Sequence, residues 1–436
     1  MNGERQIKLT SIAFVLSAPV FITLDKGISL APAYSADTVG DLIIPISYFL
    51  LPMLLAMTAL TRRRVVIEAA TIISAYLIIM LLLAGFFWGS TTGLTSEFTS
   101  RSLGRCLQAI IPVSAGVFAS SFFMAEHDKI ERARQVSRFA FTFSILIASF
   151  LGLYALQTLI TGGGTRFSFF ADHIGPFNNP KIKRFFPTLL AFSGAVIFIT
   201  WMMTWNRGRQ VSVHLLLVSI LVFSGLFTFW SRTSALALFS SILASVFYIR
   251  MSRKSVVLAL GMVGTILTAI LIIDPSGWDN FTALSRLSNT ALQLFSDQGE
   301  ENYGDAIRFE RVHFAFNQMM ATPFGSGFAT FRQELFPIED IAIAENGFLD
   351  IGVRGGIFSL SIMIFLILRG GVRLHLWTRF DAISTGPLAC AYWGYCVVSF
   401  FFLHLATETY SAMFFWFLIG AANALESPPL KRPPAL

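Results

Sequence analysis

The sequence predicts an all-α integral membrane protein with about twelve transmembrane helices. Hydrophobic residues make up 55% of the 436 residues, charged residues only 13%, and the mean hydropathy is +0.67. A soluble domain usually carries about 25% charged residues. A chain this long with so few charges cannot cover its apolar residues in water, so lipid must solvate much of it. Long apolar runs also alternate with short basic clusters along the chain.

The apolar runs predict the individual spans, because a spanning helix needs about 20 mostly apolar residues. The first run, Leu9 to Leu24, lacks a small-residue cleavage site and is therefore predicted to be retained as a span. The predicted spans are residues 8–24, 42–60, 65–88, 104–124, 138–160, 187–204, 211–230, 233–250, 255–273, 346–368, 384–405 and 409–425.

The basic clusters predict the orientation, because Lys and Arg are enriched in cytoplasmic loops. With the N-terminus in the cytoplasm, every short inner loop is basic, as at Arg62, Arg63 and Arg64. Both termini are then cytoplasmic, and residues 1–425 form a single transmembrane domain. The Pro-rich residues 426–436 are predicted to be a disordered tail. Because the net charge of +7 comes largely from such clusters, we expect no nucleic-acid partner.

Two long segments are predicted on the outer side, residues 161–186 and 274–345. The second contains apolar residues at helical spacing from Asp305 to Met320, which predicts one or two amphipathic helices over the membrane surface. Loops of this length in compact proteins are usually functional or disordered. The helical periodicity favours an ordered and functional segment.

Cations gather near the outer boundary in this topology. Arg232 is the most informative, since it lies in a turn of a few residues between two apolar runs, FTFWSRTSALAL. A guanidinium there is costly unless it is paired or hydrated, and Arg is well suited to bidentate phosphate binding. The alternative is that these side chains reach the interface and contact lipid headgroups. The outer cations are Lys181, Lys183, Arg184, Arg232, Arg308, Arg311 and Arg354.

A second group of polar residues follows the glycine-rich run PFGSGFATF, in the stretch AENGFLDIGVRGGIFSL. Gly325 and Gly327 permit a tight turn or a close backbone approach. Glu345 and Asn346 come where the outer segment enters the tenth predicted span. A carboxylate at a helix start either caps the helix or serves as a general base that removes a proton from a hydroxyl group.

Several common chemistries have no sequence support. Cys106, Cys390 and Cys396 lie in or beside apolar runs without CxxC spacing, so neither a disulfide nor a metal site is expected. The chain also lacks a phosphate-binding loop of the form G-x-x-x-x-G-K-[ST], which argues against an ATP-driven pump. No cofactor is expected.

Four motifs together resemble the O-antigen ligase and O-antigen (exopolysaccharide) polymerase superfamily of bacterial inner-membrane proteins. They are SRTSALAL, the run from Arg308 to Phe331 with its Pro-x-Gly-x-Gly, NGFLDIGVRGGIFSL, and the looser GPFNNPKIKRFFP. The resemblance implies a membrane-embedded, GT-C-like glycosyltransferase that needs no metal. Its donor would be a glycan linked to undecaprenyl diphosphate. Its acceptor would be a lipid-linked glycan or lipid A–core, reached at the periplasmic face among membrane lipids.

The resemblance also implies roles for individual residues. Arg232, Arg308 and, more loosely, Arg184 match basic positions that bind the diphosphate, and Arg232 and Arg308 are predicted to be catalytic by stabilising the leaving group. Glu345 stands where the family often has His, a residue that ligases use to activate the acceptor. Since a carboxylate is also a base, Glu345 is predicted to be catalytic, and Asn346 is predicted to hydrogen-bond the glycan or cap the helix. The substitution favours a polymerase over a ligase.

Transport is the alternative function of a different class. A secondary transporter or a flippase for lipid-linked glycans places polar residues near the bilayer midplane, often in two matching halves. Here the middle parts of the predicted spans carry few charges, and the two halves show no matching pattern. The sequence therefore favours chemistry at the outer surface over transport, and a structural or inactive membrane protein is a third possibility.

Overall fold

The computed structural model describes residues 68–91, 100–160, 180–206, 213–228, 232–248, 303–327, 346–398 and 409–429, with single positions at 257 and 261. Within these ranges the regular structure is helical throughout. The helices are α1 (Ala69–Thr91), α2 (Ser100–Met124), α3 (Lys129–Ile160), α4 (Pro180–Asn206), α5 (Val213–Thr228), α6 (Arg232–Tyr248), α7 (Tyr303–Ala321), α8 (Gly347–Phe380), α9 (Ala382–Trp393) and α10 (Thr409–Asn423), with a π-helical turn at Gly394–Val398 after α9.

The described helices coincide with predicted spans, apart from α7, which coincides with the amphipathic helix predicted from Asp305 to Met320. The predicted spans at 8–24, 42–60 and most of 255–273 lie outside the described residues. Four helical stretches in the described part are long and apolar enough to cross a membrane: Ala69–Gly89, Lys129–Leu153, Thr188–Trp205 and Gly347–Phe380. The predicted all-α membrane class is confirmed, and the count of twelve spans stays a prediction.

The chain divides into two compact units. The first comprises Met1–Val136, Tyr303–Arg373 and Phe400–Leu436, and the second comprises Ser137–Asn302 and Leu374–Ser399. In the first unit α10 packs tightly against α2, because a Cβ added at Gly420 would overlap the carbonyl oxygen of Gly116. The rings of Phe123 and Phe417 meet edge to face nearby, with centroids 6.0 Å apart. Small residues let the two helix backbones approach closely, as is common between membrane helices.

One end of the first unit is held by a charged network around Glu68, just before α1. Its carboxylate accepts hydrogen bonds from Arg369, from Arg373 (Nη2–Oε1 2.7 Å) and from Thr71. Arg373 also donates to the carbonyl oxygen of Asn423 at the end of α10. Burial alone would raise the pKa of Glu68, but the bonds from Arg373, Arg369 and Thr71 outweigh it and lower the pKa below its ordinary value.

A second network ties the end of α10 to α3. The Arg132 side chain is buried and donates to the carbonyl oxygens of Glu126 and Ala424 and to the carboxylate of Glu426. Lys129 pairs with the same carboxylate at 2.6 Å. The hydrogen bond from Lys129, and after it the one from Arg132, holds the pKa of Glu426 below its ordinary value. Lys129 and Arg132 also lie between the predicted spans 104–124 and 138–160, in a loop that the positive-inside rule places in the cytoplasm. The structure shows that they also anchor the chain after α10.

The second unit is a packed group of helices. Here α4 packs against α5, α6 and α9, and α6 packs against α9 and the π-helical turn. Gly394 lies against the Ala237 carbonyl and the Ser241 side chain of α6, so a larger residue would not fit there.

Candidate active site

One part of the predicted site lies in the first unit, where α8 is interrupted. Gly356 has φ 79° and ψ 174°, which is not helical, so α8 consists of a short first segment, residues 347–355, and a long second segment, residues 357–380. A positive φ of this kind is readily adopted only by glycine. In a membrane such a break is tolerated only where neighbouring groups satisfy the freed backbone atoms.

The turn Pro323–Gly327 supplies those neighbouring groups. In an unbroken helix the Ile357 N–H would donate to the carbonyl oxygen of Val353. Here Ile357 N–H donates instead to the carbonyl oxygen of Pro323 at 3.1 Å. The Val353 carbonyl accepts from Ser326, through the backbone N–H at 2.7 Å and the side-chain Oγ at 3.1 Å. Residues Pro323–Gly327, called the spliced turn, therefore supply the hydrogen-bond partners that α8 lacks at the break.

Close backbone contacts seat this turn between α8 and α1. A Cβ added at Gly85 would overlap the carbonyl oxygen of Arg354, and one added at Gly89 would overlap the carbonyl oxygen of Ser326. Gly325, with φ 93°, likewise has no room for a side chain, because the Arg354 carbonyl lies against it. The glycines of PFGSG are therefore required for close approach as well as for the turn, which is one of the alternatives that the sequence offered.

Asn346 begins α8 as its N-cap. Its Oδ1 accepts hydrogen bonds from the backbone N–H groups of Phe348 at 3.0 Å and Leu349 at 3.2 Å. An Asn side chain in this position satisfies donors that the helix leaves without a partner. Of the two roles predicted for Asn346, the structure shows the cap. Its predicted contact with the glycan stays a prediction.

A buried ion pair follows one turn later. Nε of Arg354 donates to Oδ1 of Asp350 at 2.8 Å, and the two side chains are 7% and 3% exposed. Burying a charge is costly unless it is paired and hydrogen-bonded, and here each charge has its partner. The positive charge of Arg354, predicted to bind substrate, is thus already opposed by Asp350.

α7 packs along the first segment of α8. Ala315 and Met319 form a small apolar cluster with Val353, and Leu349, Ile357 and Leu360 pack against it. The Met319 sulfur lies where a side chain on Gly352 would be. These contacts place the end of α7 beside Gly352 and the following turn beside Ile357, on either side of the break in α8.

The remaining predicted residues lie on identifiable elements. Lys181, Lys183 and Arg184 lie in the first turns of α4, and Arg232 is the first residue of α6; both helices belong to the second unit. Arg308 and Arg311 lie on α7 in the first unit. For these six only the position along a helix is described. Glu345 lies outside the described residues, directly before the N-cap Asn346.

The spliced turn and the charged network around Glu68 lie at opposite ends of α1. Gly89 follows Glu68 by 21 residues, a rise of about 31 Å along a helix at 1.5 Å per residue. Arg373 follows Arg354 by 19 residues, most of them in the second segment of α8. A distance of about 30 Å matches the apolar thickness of a bilayer. The break in α8 and the basic end of the unit are therefore separated by about one membrane thickness.

Comparison with known families supports the motif assignment. Residues 217–364 match the family model described as O-antigen ligase. The resemblance to the O-antigen ligase and polymerase superfamily is confirmed. The match runs from within α5 to within α8, and so includes Arg232, Arg308, Glu345 and Asn346, but begins after the predicted cations of α4. No curated protein matches the chain.

The match and the apolar helices together indicate a multi-pass protein of the bacterial inner membrane with O-antigen ligase or polymerase type activity. Such an activity implies lipid-linked glycan substrates.

Two residues that make key contacts in this region, Ser326 and Asp350, were not among the predicted site residues. A serine between two glycines, and an Asp four residues before an Arg, are the signals that point to them.

Proposed function

We propose that this protein transfers a glycan from an undecaprenyl-diphosphate-linked donor to a glycan acceptor on the periplasmic face, polymerising O-antigen or exopolysaccharide repeat units. The observation that supports this is the packing of α7 against α8 around the break, inside the region that matches the O-antigen ligase family. This packing brings α7, which carries Arg308 and Arg311, against the helix that begins after Asn346.

The contact of Met319 with Gly352 joins α7 to the first segment of α8. Arg311 lies eight residues before Met319, and Asn346 lies six residues before Gly352. Positions 308 and 311 precede Ala315 and Met319 at the i, i+3/i+4 spacing of one helix face, and Ala315 and Met319 on that face contact α8. This supports a proposal in which both arginines act beside Glu345.

The chemistry follows from these residue types. Glu345 takes the proton of an acceptor hydroxyl, and the oxygen forms a bond to the anomeric carbon of the donor sugar. The bond from that carbon to the diphosphate oxygen breaks, and its electron pair leaves with the diphosphate. Arg308 and Arg311 stabilise the charge that develops on this leaving group. The reaction is balanced without a metal or a redox partner.

The outer cations of the second unit keep their predicted roles. Arg184 and Arg232 lie at or near the first residues of α4 and α6. The positive end of a helix dipole favours an anion, and an arginine there strengthens the preference. We propose phosphate binding for Arg184 and Arg232, with Lys181 and Lys183 nearby as supporting charges.

The periplasmic side is part of the proposal. The networks around Glu68 and Arg132 contain four of the basic residues that the positive-inside rule assigns to the cytoplasm. The spliced turn lies at the other end of α1, about one membrane thickness away. This supports an acceptor site that opens to the periplasm.

The test is the glycan profile of cells that lack the gene, complemented with the wild type or with Arg308→Ala, Arg232→Ala or Glu345→Gln. Single repeat units without long chains in the null strain support a polymerase. Long chains stranded on the lipid carrier instead support the ligase, which the description of the matched family favours. Profiles unchanged in every strain would refute glycan transfer and favour the transporter class.

Two matched variants sharpen this test. Glu345→His restores a base that the related proteins often carry at this position, so long chains should persist, whereas Glu345→Gln should abolish them. Arg134→Ala removes an exposed arginine of α3 that pairs with Glu131 at 3.9 Å, and its profile should equal the wild type. Equal loss in Arg134→Ala and Arg308→Ala would mean that the profile reports expression rather than catalysis.

A further inference from the structure

Ser326 makes the contact that closes the break in α8. It is 1% exposed, and both its N–H and its Oγ donate to the carbonyl oxygen of Val353. Val353 is the residue whose helical partner, Ile357, is bonded to Pro323 instead. Ser326 therefore holds the C-terminal end of the first segment of α8, while Asn346 caps its N-terminal end.

We propose that Ser326 is a positioning residue for the transfer reaction, acting through the first segment of α8 on Glu345 and Asn346. The inference rests on the proposed function, because it assumes that Glu345 acts at the N-terminal end of this segment. Residues 347–355 have a rise of about 14 Å as a helix, and a short rigid rod transmits a shift at one end to the other. The glycine contacts at Gly85 and Gly89 seat the turn, and the Ser326 hydroxyl joins it to the segment.

Removing the hydroxyl leaves the Val353 carbonyl with one bond instead of two. The segment is then less firmly held, and the base at its far end is misplaced relative to the acceptor hydroxyl. A displacement of about 1 Å far from the chemistry can lower a rate by about a hundredfold. Because the proposed diphosphate-binding arginines lie on other helices, the effect should fall on kcat rather than on the KM for the donor.

The experiment compares full-length variants in proteoliposomes, with the lipid-linked glycan extracted from cells that lack the gene as substrate. For Ser326→Ala we expect kcat to fall about ten- to a hundredfold with KM within about twofold of the wild type. The matched control is Ser361→Ala, which removes an exposed serine of α8 whose Oγ donates within its own helix, to the carbonyl of Ile357. Its kcat and KM should equal the wild type.

Two further variants separate positioning from stability. Ser326→Cys keeps a small side chain with a weak donor and should restore part of the kcat lost in Ser326→Ala. Gly420→Ala disturbs the packing of α10 against α2 in the same unit, and should lower the unfolding temperature while leaving kcat per folded molecule unchanged. Amide hydrogen exchange should increase over residues 347–353 in Ser326→Ala but not in Gly420→Ala.

The outcomes distinguish the inference from the function on which it rests. If Glu345→Gln is inactive while Ser326→Ala keeps the wild-type kcat, the positioning role is wrong and the proposed function survives. If Ser326→Ala and Gly420→Ala lose kcat in the same proportion to their loss of folded protein, the role of Ser326 is structural only. If Glu345→Gln keeps full activity, the proposed function itself fails.

Discussion

Removing one partner of the Asp350–Arg354 pair should strongly destabilise the first unit. The Nε–Oδ1 distance is 2.8 Å, and the side chains are 7% and 3% exposed, so water does not replace a partner that is removed. Breaking a buried ion pair by removing one partner costs about 3–5 kcal/mol, whereas replacing both partners by apolar residues of similar volume is often neutral or stabilising. We therefore expect Arg354→Met to lower the free energy of unfolding by about 3–5 kcal/mol.

The pair is tested with a double-mutant cycle of Arg354→Met, Asp350→Leu and the double variant. Unfolding is measured in mixed detergent micelles with increasing dodecyl sulfate, followed by tryptophan fluorescence. The double variant should recover most of the stability lost by either single change. The matched control is Arg134→Gln in α3, whose partner Glu131 is 3.9 Å away and whose side chain is 51% exposed. That change should cost less than about 1 kcal/mol.

Two results would refute the reasoning. If Arg354→Met cost no more than Arg134→Gln, the charge of Asp350 would have to be solvated in the folded state, against its burial in the structure. If the double variant were as unstable as the sum of the single variants, the two side chains would act independently, against their contact.

Three further predictions concern other contacts of the first unit. Asn346→Ala should lower the free energy of unfolding by about 1 kcal/mol, because α8 loses its N-cap. Asn346→Asp should lower it by only about a few tenths of a kcal/mol, since Asp also caps a helix. Equal losses for the two variants in the detergent assay would contradict the cap. Glu68, whose pKa is lowered, should add stability that is complete above pH 4.5 and is lost as the pH falls through the lowered pKa. Unfolding titrations of Glu68→Gln should lack this part of the acid dependence. Gly420→Ala should cost about 1–3 kcal/mol, because the added methyl overlaps the Gly116 carbonyl, and an unchanged unfolding midpoint would refute that contact.

The helix positions were largely predictable, because lipid requires long apolar runs. The differences occur where charged residues extend a helix beyond the apolar run. α3 begins at Lys129 rather than at the predicted residue 138, and α8 continues to Phe380 rather than ending at residue 368. Hydropathy detects only the apolar part of such helices, whereas the backbone hydrogen bonds continue into their polar ends.

The candidate site was predictable as a set of motifs but not as an arrangement. The asparagine before the tenth predicted span could be recognised as a possible cap from the sequence, because capping is a local interaction. The partners of Glu68, Arg354 and Ser326 were not predicted. Arg369 lies 301 residues after Glu68, and no local rule joins such residues. Asp350 and Arg354 do have the i, i+4 spacing of a helix, but only their burial in the structure indicates that breaking the pair is costly.

The sequence by itself determined the membrane class, the extent of most described helices and the superfamily resemblance, because these follow from apolar length and from short motifs. The tertiary structure decided that α8 breaks at Gly356 and that the PFGSG turn completes its hydrogen bonds. The Ser326 hydroxyl and the Val353 carbonyl are 27 residues apart in the chain. A carbonyl freed at a helix break in a membrane must find a donor, and which donor reaches it depends on how the helices pack.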